Sequence, residues 1–338
     1  MKFVNVIAAK EIPDNIARTL QEQPARSGQY NWLQVFKGEI QCFDQIKERL
    51  DDYDVITVNM APSDHALIPE IRARLRSSST RLVVNNDYVT ECWPKWDINP
   101  DSYRHLQAMG DMVFTTEAHQ ASWMIPGTFT MPHPTNTGVL KHFGTDFKDD
   151  AIASIFHWWH GDPYHAYQAC KIAKDEFGIA RSKLYAYNES RDKLKRWNKT
   201  MFDTYVPIVP FPDYLQSIMG DKLVYDPNPY HTYGRNGVEF ACTGTPVVGS
   251  NRVFSYNYLF PELTCDPFDL NDTMKKFSIV MNEEERTKQI LADAAKKVEY
   301  FNYKNSKKRF TEALQIASDR GGYEYNQRAL VKGWEWKK

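Results

Sequence analysis

Apolar runs rich in β-branched residues alternate along this chain with amphipathic stretches, and the alternation starts over once. The first set reads KFVNVIA, WLQVF, DVITVNM, RLVVNN, MVFTT and FTMP, with helical stretches between, one of them running to about Arg76. The second set reads IASIF, KLYAY, TYVPIV, KLVYD and PVVG, each leading into a helix, and residues 267–319 are predicted to be mostly helical. Short apolar runs joined by helices are what a parallel sheet covered on both faces requires. Between the sets, TGVLKHFGTDFKDDA at 137–151 is polar and aperiodic and reads as a linker. The pattern predicts an α/β chain with two doubly wound domains, 1–140 and 151–319, which take ligands at the carboxyl ends of their strands. Residues 320–338 form a tail expected to pack back on the first domain.

Composition supports two cores: 338 residues, 42% of them apolar, are comfortable for two domains. With Lys+Arg 42 against Asp+Glu 43, the formal charge is -1, so no global field draws the chain to nucleic acid or anionic lipid. Any such role falls to local patches. The apolar run at the N-terminus is too short for a signal peptide and no later run reaches the length of a membrane span, which predicts a cytoplasmic protein. Cys42, Cys92, Cys170, Cys242 and Cys265 are odd in number, scattered and never spaced as metal pairs, so they read as free thiols that pack in the interior.

Residues 231–249, HTYGRNGVEFACTGTPVVG, carry the most chemistry. A polar turn leads into a short helix from about Gly234 to Thr243; Gly244 and Pro246 break it, and a β-branched strand follows at once. Such a helix start offers backbone N–H groups and the positive end of a dipole to a phosphate, and Arg235 adds a fixed fork of donors. Glu239 falls one turn further in. Taken alone, Glu239 also reads as a solvated residue on a surface helix, and His231 as an ordinary polar turn residue.

This segment resembles the donor-binding motif of the family 4 glycosyltransferases of the GT-B fold, Glu-Gly-Phe-Gly, a helix, Glu-Ala, then Gly-Thr-Pro-Val-Val. Tyr233, Gly234, Glu239, Gly244, Thr245, Pro246, Val247 and Val248 fall in register with it. Further segments follow in the family's order. Tyr53 to Asn59 is similar to its Asp-Val-Ile-His-Val-His strand, Gly110 to Thr116 to its Ala-Asp-x-Val-Ile strand, and Met131-Pro132-His133-Pro134-Thr135-Asn136 to its Ile-Pro-Asn-Pro-Val-Asp exit from the first domain. The resemblance implies two Rossmann-like domains facing across a cleft and retaining transfer of a sugar from a nucleoside diphosphate sugar, with no metal or other cofactor.

It also assigns roles residue by residue. Glu239 takes the place of the Glu that binds the ribose, and the donor set is completed by Arg235, Gly234, Tyr233 and Thr232. The family's first Glu, which contacts the donor sugar, is replaced by His231. Its His-Asp pair after the fourth strand becomes Asn86-Asp87, and Asn cannot transfer a proton. Its Gly-Arg and Lys clamp on the diphosphate is missing from Phe156-His157-Trp158-Trp159-His160-Gly161-Asp162, which leaves His157 and His160 as weaker substitutes. With His165 these histidines lack Cys or carboxylate companions at metal spacing, so cleft lining is the expectation. Asp87 and Glu91 fall where the first domain meets the cleft, and either can orient an acceptor hydroxyl; Asp87 reads equally as a turn or helix cap.

The acceptor is a glycan, a lipid, a small molecule or a modified DNA base. On a helix at 68–76, Arg72 and Arg76 are expected on one face at i, i+4, a candidate acceptor contact flanked by Arg81. RDKLKRWNK at 191–199, KNSKKRF at 304–310 and the terminal KGWEWKK mix bases with aromatics, which suits a peripheral membrane contact, a DNA backbone or a plain solvated face. Two other classes stay open: a viral-type glycosyltransferase acting on a hydroxylated DNA base, and a non-catalytic nucleotide-sugar-binding module.

Overall fold

The computed structural model describes residues 1–22, 28–61, 63–87, 89, 99–144, 149–156, 163–186, 201–206 and 209–335. Glu91, Cys92, His157, His160 and the basic run at 191–199 lie outside them. The chain forms two compact units, Met1–Thr135 with Phe301–Lys338, and Asn136–Tyr300. It therefore returns to the first unit at Phe301, earlier than the tail to which the sequence pattern gave that part.

The first unit holds a six-stranded parallel sheet: β1 (Phe3–Ile7), β2 (Glu39–Cys42), β3 (Val55–Asn59), β4 (Arg81–Asn86), β5 (Met112–Thr115) and β6 (Phe129–Thr130). Their order is β2-β1-β3-β4-β5-β6. Every residue of β1, β3 and β5 is buried, as expected of strands covered on both faces. The second unit repeats the plan with β7 (Asp149–Phe156), β8 (Arg181–Ala186), β9 (Thr204–Val206), β10 (Asp221–Asp226), β11 (Val247–Ser250) and β12 (Thr264–Cys265). Its order, β12-β11-β10-β7-β8-β9, reverses direction between β7 and β10. That reversal marks the crevice where doubly wound sheets take ligands.

Several expected elements shift. WLQVF is not a strand but most of the helix Asn31–Phe36, and β2 is the following EIQC. The helix expected to reach Arg76 ends at Arg74, where Leu75 turns extended. The expected linker is partly ordered: Thr137–Leu140 is helical, Lys141–Phe143 is a 3-10 turn, and Asp149 already belongs to β7. Cys42, Cys170, Cys242 and Cys265 are buried free thiols. Among the described residues, no helix is long and apolar enough to cross a membrane.

Candidate functional site

The turn before the helix Arg235–Thr243 is held by the start of the next helix, Phe254–Leu259. Thr232 forms a parallel bridge with Val253. Phe254 N donates to Thr232 O at 2.9 Å and Ser255 N to Tyr233 O at 3.0 Å. Ser255 Oγ donates to Gly234 O. Gly234 caps the helix with φ 70° and ψ 71°, in the left-handed region. A Cβ there would stand 2.0 Å from Val253 Cγ1, so conformation and space both demand glycine. At Gly237 a Cβ would come within 2.3 Å of Ser255 Oγ, which is how closely the two helices approach. The result is a helix start whose direction is fixed by backbone contacts, with the dipole and N–H geometry of an anion site. Arg235, the first helical residue, is partly exposed there, as are His231 and Thr232, while Tyr233 is 3% exposed.

Beneath this turn lies a residue that the sequence pattern left inside a strand. Asp226 ends β10, is 3% exposed, and accepts a 2.6 Å hydrogen bond from Tyr256 Oη. Burial pushes its carboxyl up to about 6, against the lowering effect of hydrogen bonds from Tyr256 and from the Asn236 side chain. Asp226 thus ties the first turn of one helix to the middle of the next, and it does so at the strand end beside the sheet's reversal point. An acid closing a strand in KLVYD, followed by Pro-Asn-Pro, was the available signal.

Glu239 is completely buried, which overturns its reading as a solvated surface residue. Its carbonyl accepts from Thr243 Oγ1 at 3.0 Å, and its charge helps raise the buried thiol of Cys242, where burial is the larger cause and the value reaches about 12. A carboxylate at that depth is costly unless hydrogen-bonded, so the position is one that a structure keeps for a reason.

In the first unit, Asn86 closes β4 fully buried, and the next residue, Asp87, meets His133 Nε2 at 2.8 Å. That contact joins the strand end to the Pro-His-Pro segment. Arg72 does not present itself to an acceptor: its Nε donates to Met109 O at 2.7 Å, its Nη2 to Asp111 Oδ2 at 2.8 Å, and its guanidinium lies 4.8 Å from the Tyr323 ring. Arg76 stands beyond the end of the helix, its backbone N–H donating to Asp51 Oδ1 at 3.2 Å, so the expected i, i+4 face does not form. His165 meets the Tyr225 hydroxyl at 2.9 Å and so ties its helix, Pro163–Phe177, to β10. The second unit therefore gathers His231, Thr232, Tyr233, Gly234, Arg235 and Glu239 around one helix start, and the first holds Asn86 and Asp87.

Two parallel six-stranded Rossmann-like sheets of this kind make the fold GT-B, and the solved structures that share it are GT-B glycosyltransferases. TarM superposes with a TM-score of 0.58 at 12% identity over 77% of this chain and 54% of its own length. A UDP-forming trehalose-phosphate synthase from Burkholderia xenovorans gives 0.64 at 14% identity, over 81% of this chain and 76% of that one. Anabaena HepE, solved in complex with UDP-glucose, gives 0.63 at 11% identity, over 94% of this chain and all (100%) of its own. No protein-family profile and no curated protein sequence matches the chain.

Proposed function

We propose that this protein transfers a sugar from a nucleoside diphosphate sugar to a hydroxyl acceptor. The observation that carries the reading is the fixed helix start at Gly234 with buried Glu239 one turn inside it, at the carboxyl edge of a Rossmann-like sheet. The likeness to HepE, which was solved with UDP-glucose, supports the same ligand class. In this reading Glu239 accepts the ribose hydroxyls, and because it is fully buried here, nucleotide entry must first uncover it. Arg235 and the first N–H groups of the helix take the diphosphate. As the glycosidic bond breaks, negative charge grows on the departing diphosphate, and donors already oriented there stabilise the transition state more than the ground state. That requires no metal.

Retention of configuration follows from the resemblance of residues 231–249: acceptor and leaving group share one face of the sugar, and a phosphate oxygen takes the acceptor proton. His231 faces the sugar in place of a carboxylate. Asp87, its position set by His133, orients the acceptor, with Asn86 beside it. The test is thermal shift with UDP-, GDP-, ADP- and TDP-sugars: a bound donor at about 100 times its Kd adds roughly 2.7 kcal/mol of stability. Glu239→Ala is expected to weaken the responding donor by about 1.5–3 kcal/mol, the worth of a charge-assisted hydrogen bond, and Glu239→Gln by less. No response to any donor overturns the reading; an unchanged affinity in both variants removes Glu239 from the site.

A further inference from the structure

Strands β12, β11 and β10 lie side by side and parallel, and one arginine joins the loops that leave their carboxyl ends. Arg252, in the loop after β11, is half-buried. Its Nη1 donates to Pro229 O at 3.0 Å, in the loop after β10. Its guanidinium lies 5.1 Å from the centre of the Phe268 ring, in the loop after β12. Its carbonyl accepts from Thr232 N at 3.4 Å. Arg252 therefore grips the chain on both sides of two residues, Tyr230 and His231. Within that span Tyr230 N donates to Asn228 Oδ1 at 3.0 Å. All of these residues belong to the second unit.

The two grips differ in what the side chain contributes. Downstream of His231, backbone bonds from Phe254 N to Thr232 O and from Ser255 N to Tyr233 O hold the turn whatever side chain stands at 252. Upstream, Pro227 and Pro229 lack N–H groups, so the stretch between β10 and His231 has few backbone donors by which to be tied. A long side chain that reaches the Pro229 carbonyl does there what a ladder cannot. Phe268 is 65% exposed, and its place is set by Asp266, whose Oδ1 accepts from Phe268 N at 3.0 Å. A guanidinium stacked on a ring keeps its plane while one N–H is engaged, which the flexible ammonium of lysine does not do. With one N–H and one face committed to protein, Arg252 is suited to fastening a loop more than to clamping a diphosphate. The residue so fastened, His231, is the one that takes the place of a sugar-contacting carboxylate.

We infer that Arg252 is a positioning residue that fixes His231 against the sugar of the donor without itself touching the diphosphate. This rests on the proposed donor reading, in which His231 faces the sugar. The test is calorimetric titration of the full chain with whichever UDP-, GDP-, ADP- or TDP-sugar stabilises the parent, and with its bare nucleoside diphosphate. Arg252→Met is expected to weaken the sugar nucleotide by roughly 2- to 12-fold, the range for one hydrogen bond, and to leave the diphosphate unchanged. His231→Ala should give the same pattern, and adding Arg252→Met to it no further loss, because one residue acts through the other. Arg252→Lys keeps the charge without the fork and should recover only part of the loss. Phe268→Leu, at an exposed position, should weaken the sugar nucleotide by about 2- to 5-fold, and it decides the matter should Arg252→Met not fold. Equal loss of both ligands in Arg252→Met would make Arg252 a diphosphate contact or a general prop and overturn the inference. So would unchanged sugar-nucleotide affinity in Arg252→Met or Phe268→Leu, or losses that add to those of His231→Ala. A parent that binds none of the four sugar nucleotides overturns the donor reading and the inference with it, whereas a binding parent whose affinity survives Arg252→Met overturns the inference alone.

Discussion

The Asp226 carboxyl, 3% exposed at the end of β10, makes the stability of the fold depend on pH. Burial pushes it up to about 6, so between pH 4 and 6, roughly, the folded protein holds a proton that the unfolded chain has released. Stability contributed by this group is therefore lost as pH rises through that window and is constant outside it. A rise of that size is worth roughly 3 kcal/mol. Asp226→Asn should abolish that part of the slope, read as the difference in urea midpoint between variant and parent across the window. Asp221, also pushed up to about 6 by burial, contributes to both proteins and cancels in the difference. A variant with the parent's slope would show that Asp226 ionises normally in the fold. The role of Asp226 was not legible in the sequence because it depends on partners ten and thirty positions away, Asn236 and Tyr256, which only the turn at Gly234 brings to it. The place of Glu239 one turn into the helix Arg235–Thr243 was legible, by contrast, while its complete burial was not.

At the scale of elements, the legible parts were those whose signals are local. The Gly234 cap and the Gly244 break stand in the sequence, and the helix between them follows at Arg235–Thr243. The run WLQVF misled because five of the six residues of its helix, Asn31–Phe36, are buried, which erases the polar face that distinguishes a short helix from a core strand. Its ending was readable: Lys37 adopts φ 52° and Gly38 follows, a helix C-terminus rather than a strand end. The contact between the helices Arg235–Thr243 and Phe254–Leu259 can be tested as a unit. Gly234→Ala adds left-handed strain of about 1–2 kcal/mol and a Cβ that would stand 2.0 Å from Val253 Cγ1. Together with overpacking of about 1–3 kcal/mol, a loss of roughly 2–5 kcal/mol is expected. Val253→Ala should remove the clash and leave the strain, so the double variant is expected to be more stable than the sum of the singles predicts by about 1 kcal/mol or more. Strict additivity in denaturant melts would mean the helices move apart instead, and donor binding should then fall with them.

At the scale of the whole molecule, the alternation of strands and helices announced two α/β units, but it could not say which sheet a late amphipathic helix covers. The helix Tyr303–Asp319 reads as part of the second domain by position, yet its buried face of Phe310, Ala313 and Ala317 belongs to the core of the first. Phe310 is fully buried, and its ring centroid lies 5.1 Å from Trp32, 5.0 Å from Phe36 and 5.7 Å from Phe3. The pairing is long-range, and a 3.6-residue period carries no address. Truncating a buried aromatic costs about 3–5 kcal/mol, so Phe310→Ala is expected to destabilise the first unit by that amount in urea unfolding. Glu239, Arg235 and the Gly234 turn all belong to the second unit. The same variant should therefore keep the stabilisation that a donor sugar gives the second unit in a thermal shift. Loss of that stabilisation together with the core would mean that donor binding draws on residues of the first unit as well, and the search for the sugar's contacts would then move to Asn86 and Asp87.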